Sequence, residues 1–281
     1  MEEVTGFRDL IESLEHLWRL KTLVIKSCSD ITSLPESLFR LPSLTSLTLN
    51  TSYLSVLPDE FGRLSQLQIL VLDLMSRTTL PDSIALVTTL QELSLNNIWS
   101  LASLPEEFGQ LIALEKLHLN NLHHLTHLPE SLGQLTVLRE LKIVECRRLQ
   151  QLPDSLSQLS SLEHLEIING PEIKVRSLPE WFSKLPKLQV LRVVECKNLT
   201  RLPPSIRQLP TLRVYDICEC PLLSERDRRG IFARAGEEDW VEGEAVDEGE
   251  EEGGEEAEGE EGGDAMVEGQ EAEGGSRGSR G

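Results

Sequence analysis

A recurring Leu-Pro dipeptide constrains the fold of this chain more than any other feature. Its leucine falls at Leu34, Leu57, Leu80, Leu104, Leu128, Leu152, Leu178 and Leu202, at spacings of 23, 23, 24, 24, 24, 26 and 24 residues. Each pair opens the pattern Leu-Pro-x-x-Leu/Ile/Phe-x-x-Leu/Val. A second pattern, Leu-x-x-Leu-x-Leu/Ile-x-x-Cys, runs between them, as Leu20, Leu23, Ile25, Cys28 and as Leu138, Leu141, Ile143, Cys146. It returns as Leu188, Leu191, Val193, Cys196, and with a tyrosine as Leu212, Tyr215, Ile217, Cys220. Self-similarity at a period of this length marks an array of stacked units, each held by its neighbours.

The spacing dictates the shape of one unit. In a Leu-x-Leu step, alternation turns both leucines to the inner face of a short strand. Leu-Pro then leaves the strand, because proline has no backbone donor for a sheet ladder. The next apolar pair, such as Leu38 and Leu41, lies three residues apart, the spacing of a single helical or 3-10 turn. No unit of this size buries its own leucines, so stacking must join them into one core and pair the strands in parallel. These patterns are the leucine-rich-repeat consensus, held over residues 17–223 in about nine units. The fold expected is an α/β leucine-rich-repeat solenoid: a curved rod with a parallel sheet on its concave side and short turns on its convex side.

The two ends differ from the middle. Leu10, Leu14 and Leu17 match Leu34, Leu38 and Leu41, so residues 1–16 read as a partial, uncapped repeat. Residues 224–240 read as a C-terminal cap, with Ile231 and Phe232 over the last leucines. All 52 leucines lie at or before Leu223. Residues 236–281 hold 19 of the 47 acids and 13 of the 19 glycines. Residues 241–281 are therefore expected to be an acidic, Glu/Gly-rich disordered tail. The rest of the chain, residues 1–235, is close to neutral, with 28 acids against 25 Lys and Arg. That balance offers no basic surface for phosphates, which argues against nucleic acid as a partner. No apolar run approaches the roughly 18 residues of a membrane span. Met1-Glu2-Glu3 lacks the basic start of a secretory signal.

Candidate chemistry is sparse. Cys28, Cys146, Cys196 and Cys220 share one slot, three residues beyond the strand's last apolar residue, and are expected to pack inward. Ser52 and Gly170 fall at the same offset, which suggests that small size governs the slot. Cys218 should face outward and react as a native thiol. Buried thiols fit a reducing compartment, so the expected location is cytoplasmic, with the nucleus also open. His123, His124 and His127 align with Arg147, Arg148 and Gln151, which are polar loop slots, and their spacing matches no usual zinc pattern. No phosphate-binding glycine loop and no Gly-x-Ser-x-Gly motif occurs, so neither a cofactor nor an enzymatic activity is indicated.

The remaining candidate is the outward side of the strands. Its central column reads Val24, Thr48, Val71, Ser94, His118, Lys142, Glu166, Arg192 and Asp216. The first four carry no charge, and the last four alternate in sign. A flanking column adds Lys116, Glu140 and His164. Two readings stand open: a solvated sheet with cross-strand charge pairs, or a contact surface for another protein. On exposed pairs worth about 0–1 kcal/mol, reversing Lys142 and Arg192 should leave folding nearly intact.

The closing segment adds a resemblance. Cys220-Pro221-Leu222-Leu223-Ser224-Glu225-Arg226, followed by Gly236-Glu237-Glu238-Asp239-Trp240, resembles the end of the repeat domain of plant nucleotide-binding leucine-rich-repeat disease-resistance proteins. The slot cysteine points the same way, since adaptors of the Ras-scaffold kind take Asn there. The resemblance covers residues 10–240. Asp227 stands where the family has a second Cys, the segment after Trp240 lacks the family's basic ending, and the nucleotide-binding domain is absent. The resemblance implies recognition of a pathogen effector or restraint of a signalling partner. Acidic leucine-rich nuclear proteins that bind histones or phosphatases remain an alternative, as do Ras-type adaptors and a degenerate fragment.

Overall fold

The structure is a computed structural model that describes residues 14, 16–26, 31–54, 57–74, 79–168, 178–224 and 227. Among these, nine strands form one parallel sheet in sequence order. They are β1 (Thr22–Lys26), β2 (Ser46–Thr51), β3 (Ile69–Leu74), β4 (Glu92–Asn96), β5 (Lys116–Asn120), β6 (Glu140–Val144), β7 (His164–Ile168), β8 (Val190–Val194) and β9 (Val214–Cys218). A five-residue 3-10 turn follows each of the first eight, from η1 (Glu36–Arg40) to η8 (Pro204–Gln208). The leucine-rich-repeat solenoid expected from the spacing is the fold observed.

Each Leu-Pro proline precedes its turn in extended conformation, and its carbonyl accepts the first turn hydrogen bond, as in Leu38 N–H to Pro35 O at 3.1 Å. Seven of the eight turns carry an acid in the first turn (Glu36 and Asp59, for example), the end where negative charge is favoured. Strand leucines such as Leu93, Leu95, Leu117, Leu119 and Leu141 are fully buried, and with Phe61, Phe108 and Phe182 from the turns they form one continuous core. Neighbouring turns approach so closely that a Cβ on Gly109 or Gly133 would lie 2.4 Å from the Ser131 or Ser155 carbonyl oxygen.

All length variation falls between a strand and the next Leu-Pro, and the structure shows its effect. In the 24-residue units a left-handed residue follows the strand: Asn97, Asn121, Glu145, Glu195 and Glu219 all have φ between 53° and 58°. The chain then turns inward at Ile98, Leu122, Cys146, Cys196 and Cys220, all buried. The two 23-residue units omit the left-handed residue. Their strands run one residue longer, and Thr51 and Leu74 enter the slot directly in register with each other. Ser52 is exposed. Small size is therefore not what the slot selects, since it accepts isoleucine and leucine as readily as cysteine. The thiols add weak bonds: Cys146 Sγ donates to Leu119 O at 3.6 Å and Cys220 Sγ to Val193 O at 3.6 Å. Cys28 and Gly170 lie outside the described residues. An apolar cavity of about 20 Å³ lies between Leu149, Leu152, Ile167, Leu178, Val193, Cys196 and Leu199, beside the longest unit.

At the N-terminal end Leu14 is buried, while Leu17 and Trp18 are 41% and 59% exposed. Leu17 and Leu20 accept the turn pattern of later units, each N–H reaching the carbonyl three residues back. At the other end Ser224 receives the Asp227 N–H on its hydroxyl at 3.2 Å, an N-cap geometry. The remainder of the expected cap, the segment before Leu14 and the acidic tail lie outside the described residues. Among the described residues no helix is long and apolar enough to cross a membrane.

Candidate protein-binding face

The strand register places the nine central residues in one row, each beside the next, from Val24 to Asp216. The flanking candidates Lys116, Glu140 and His164 form the adjacent row. The structure therefore brings all eight charged or ionisable candidates onto one face of β5–β9.

They are joined as well as adjacent. His118 Nε2 lies 3.2 Å from Glu140 Oε1, and Lys142 Nζ lies 2.8 Å from the same oxygen. Lys142 also lies 3.8 Å from Glu166 Oε2, Glu166 Oε1 3.8 Å from Arg192, and Arg192 Nε 3.2 Å from Asp216 Oδ2. Lys116 reaches back to Glu92 at 3.9 Å. Opposite signs thus alternate without a break from Glu140 on β6 to Asp216 on β9, with His118 of β5 hydrogen-bonded at the near end. His164 shares the face with no ion pair in this chain of contacts. Glu140 and Glu166 are only 20% and 16% exposed at the side chain, which makes their pairs stronger than surface pairs. Burial pushes the Glu140 carboxyl up, yet Lys142 and His118 outweigh it and hold it below the ordinary range. The hydrogen bond to Glu140 raises the Lys142 ammonium above its ordinary value.

This geometry corrects the expectation that reversing Lys142 and Arg192 leaves folding nearly intact. A carboxylate at 142 would face both Glu140 and Glu166, and like charges about 4 Å apart cost roughly 1–4 kcal/mol at effective dielectrics from water down to ~20. Neutral replacements avoid this repulsion and disturb the fold less, although they leave Glu166 without its two cations.

Sequence reading placed Ser94 in the central row without its contact to His118. Its hydroxyl lies 3.4 Å from His118 Nδ1, so Ser94, His118 and Glu140 line up across β4, β5 and β6. The three lie on adjacent, paired strands of the parallel sheet. The other histidines are apart from them: the His124 ring meets the Trp99 carbonyl, and His127 Nδ1 meets Thr126 Oγ1 at 2.9 Å. Among the described residues no three metal-ligating side chains converge. Cys218 is exposed, as expected, but burial of its sulfur, with Asp216 and Glu219 adding to it, pushes its thiol up to about 11. The shift lowers the thiolate fraction and so slows the thiol's reactions, while the sulfur stays on the outward side where it was expected.

Fold and repeat together define a leucine-rich-repeat domain. The family signature described as "Leucine rich repeat" matches residues 19–73. No curated protein matches the chain. Among solved structures, a leucine-rich-repeat protein of Leptospira interrogans is 29% identical with a TM-score of 0.61, over 73% of this chain and 50% of that one. The leucine-rich-repeat domain of the type III effector XopL is 26% identical with a TM-score of 0.57, over 76% of this chain and 81% of that one. A TDR receptor, 22% identical with a TM-score of 0.52 over 74% of this chain and 40% of that one, shares the fold. The match thus spans half of the Leptospira protein's length.

Proposed function

We propose that this chain is a non-catalytic protein-binding scaffold whose contact surface is the outward face of β5–β9. One observation carries the reading: the unbroken alternation from Glu140 to Asp216, with charges that are partly buried and already satisfied. A partner can cover such a face without leaving any of these charges unpaired, and it gains charge-assisted hydrogen bonds where it reaches their free positions. The finer reading is recognition or regulation in a plant-type innate immune response, with an effector or signalling protein as partner. It is supported by the closing sequence Cys220–Arg226 with Gly236–Trp240. The packed thiols support a reducing, cytoplasmic setting. Affinity capture with the Lys142→Met/Arg192→Met double variant tests the proposal. The variant should remain folded and lose its partner by tenfold or more. Full retention would refute the face as the contact surface, and loss only on removal of residues 241–281 would favour the histone-type reading.

A further inference from the structure

We infer that the neighbouring outward column of the sheet receives one extended, uncharged segment of a partner protein, held by its backbone at one end and by aliphatic side chains at the other. The inference rests on the scaffold reading and specifies what the face recognises. From β2 to β9 this column reads Asn50, Asp73, Asn96, Asn120, Val144, Ile168, Val194 and Cys218, in unbroken register. It changes character between β5 and β6.

The first half is a ladder of amides. Asp73 accepts from Asn50 Nδ2 at 3.0 Å and from Asn97 Nδ2 at 2.7 Å, so each of its oxygens has an amide partner. Asn120 Nδ2 donates to Asn96 Oδ1 at 2.7 Å. That bond leaves the Asn96 N–H₂ group and the Asn120 carbonyl for an outside group. An extended residue turns its own C=O and N–H to the same side of the strand. A donor and an acceptor on adjacent strands are therefore matched to one residue of an extended backbone.

The second half offers half-buried Val144, Ile168 and Val194, whose β-branched side chains are already stiff and lose little freedom on contact. Beside them Lys142, Glu166 and Arg192 are paired with one another and with Glu140 and Asp216. Each of these charges already has an opposite partner, and an unpaired charge buried against the valines would be desolvated without compensation. Seven strand steps of about 4.8 Å give roughly 34 Å, the length of about ten extended residues.

A random decapeptide library displayed on phage, panned on the full chain, provides the probe. Enriched sequences should be uncharged, with aliphatic residues toward one terminus. As free peptides, titrated by fluorescence anisotropy, they should bind Ile168→Lys at least tenfold more weakly. The Asn96→Ala/Asn120→Ala variant should weaken them severalfold. Thermal unfolding checks each variant, and Ile168→Ser takes the place of Ile168→Lys if the lysine prevents folding. Absence of enrichment, selection of charged peptides, or binding indifferent to Ile168→Ser would overturn the inference. Peptides that ignore this column but are lost with Lys142→Met/Arg192→Met would overturn it while leaving the scaffold reading in place.

Discussion

Replacing Gly133 by alanine isolates the contact between neighbouring turns. In η5 (Glu130–Gln134) the new Cβ would stand 2.4 Å from Ser155 O, 2.7 Å from Ser155 Cβ and 2.9 Å from Ser155 C. Two of these three atoms are backbone, so relief requires the next unit to shift and the stacked leucines with it. Overpacking of this kind costs about 1–3 kcal/mol. Lower entropy of the unfolded chain returns about 0.4–1 kcal/mol. The net expectation is a loss of roughly 1–2 kcal/mol. Gly62 is the internal control, because its Cβ would meet the exposed Leu86 side chain at 3.0 Å and a carbonyl only at 3.1 Å. There Leu86 Cδ1 can rotate away, and Leu86 Cβ and the carbonyl at 3.1 Å need give only a few tenths of an ångström, so Gly62→Ala should cost clearly less than Gly133→Ala. Urea unfolding followed by far-UV circular dichroism compares the midpoints at unchanged slope. Equal shifts for the two variants, or a stabilised Gly133→Ala, would mean that the turns do not pack at these distances.

Two further predictions concern the strand-to-turn bend. Glu195 sits at φ 57°, where Asn is far better tolerated, so Glu195→Asn should stabilise by about 0.5–1 kcal/mol in the same assay. The Cys146 thiol, pushed from 9.0 up to about 12 chiefly by burial, makes stability fall with alkaline pH. Its raised pKa means that the contribution is whole below pH 9 and is lost as pH rises toward 12, at up to about 1.4 kcal/mol per unit. Cys146→Val fits a slot that already holds Ile98 and Leu122, so it should match the parent below pH 9 and unfold less readily above it.

The sequence made most of the architecture legible because each of the eight repeating Leu-Pro pairs, from Leu34 to Leu202, lies 13 residues before the next strand's first inward residue, as from Leu104 to Leu117. That invariant distance also sets the outward rows, whose order the strand register reproduces. The bend was misread because its signal is a missing residue. The 23-residue spacings announced a deletion but not its place, and Ser52 was aligned where Thr51 belongs. Asn97 and Asn121 hint at left-handed backbone, while Glu145, Glu195 and Glu219 adopt it with no such hint; the Glu145 and Glu195 N–H groups donate to Ile168 O and Cys218 O of the next strand. Nor does register alone reveal that Glu140 answers both His118 and Lys142. That depends on how long side chains lean along the sheet and on how little water reaches them.

The central claim is that a partner lies on the sheet's outward face, and site-specific photocrosslinking tests it most directly. A photoreactive residue replaces Val190, beside Arg192 on that face, or Ile112, which is 65% exposed between η4 (Glu106–Gln110) and β5. Each protein is irradiated in an extract of its native tissue, and adducts are compared at equal loading. The account predicts a discrete protein adduct from position 190 that Lys142→Met/Arg192→Met abolishes, and none of that mass from position 112. An adduct confined to position 112 would put the partner on the turns and contradict the account.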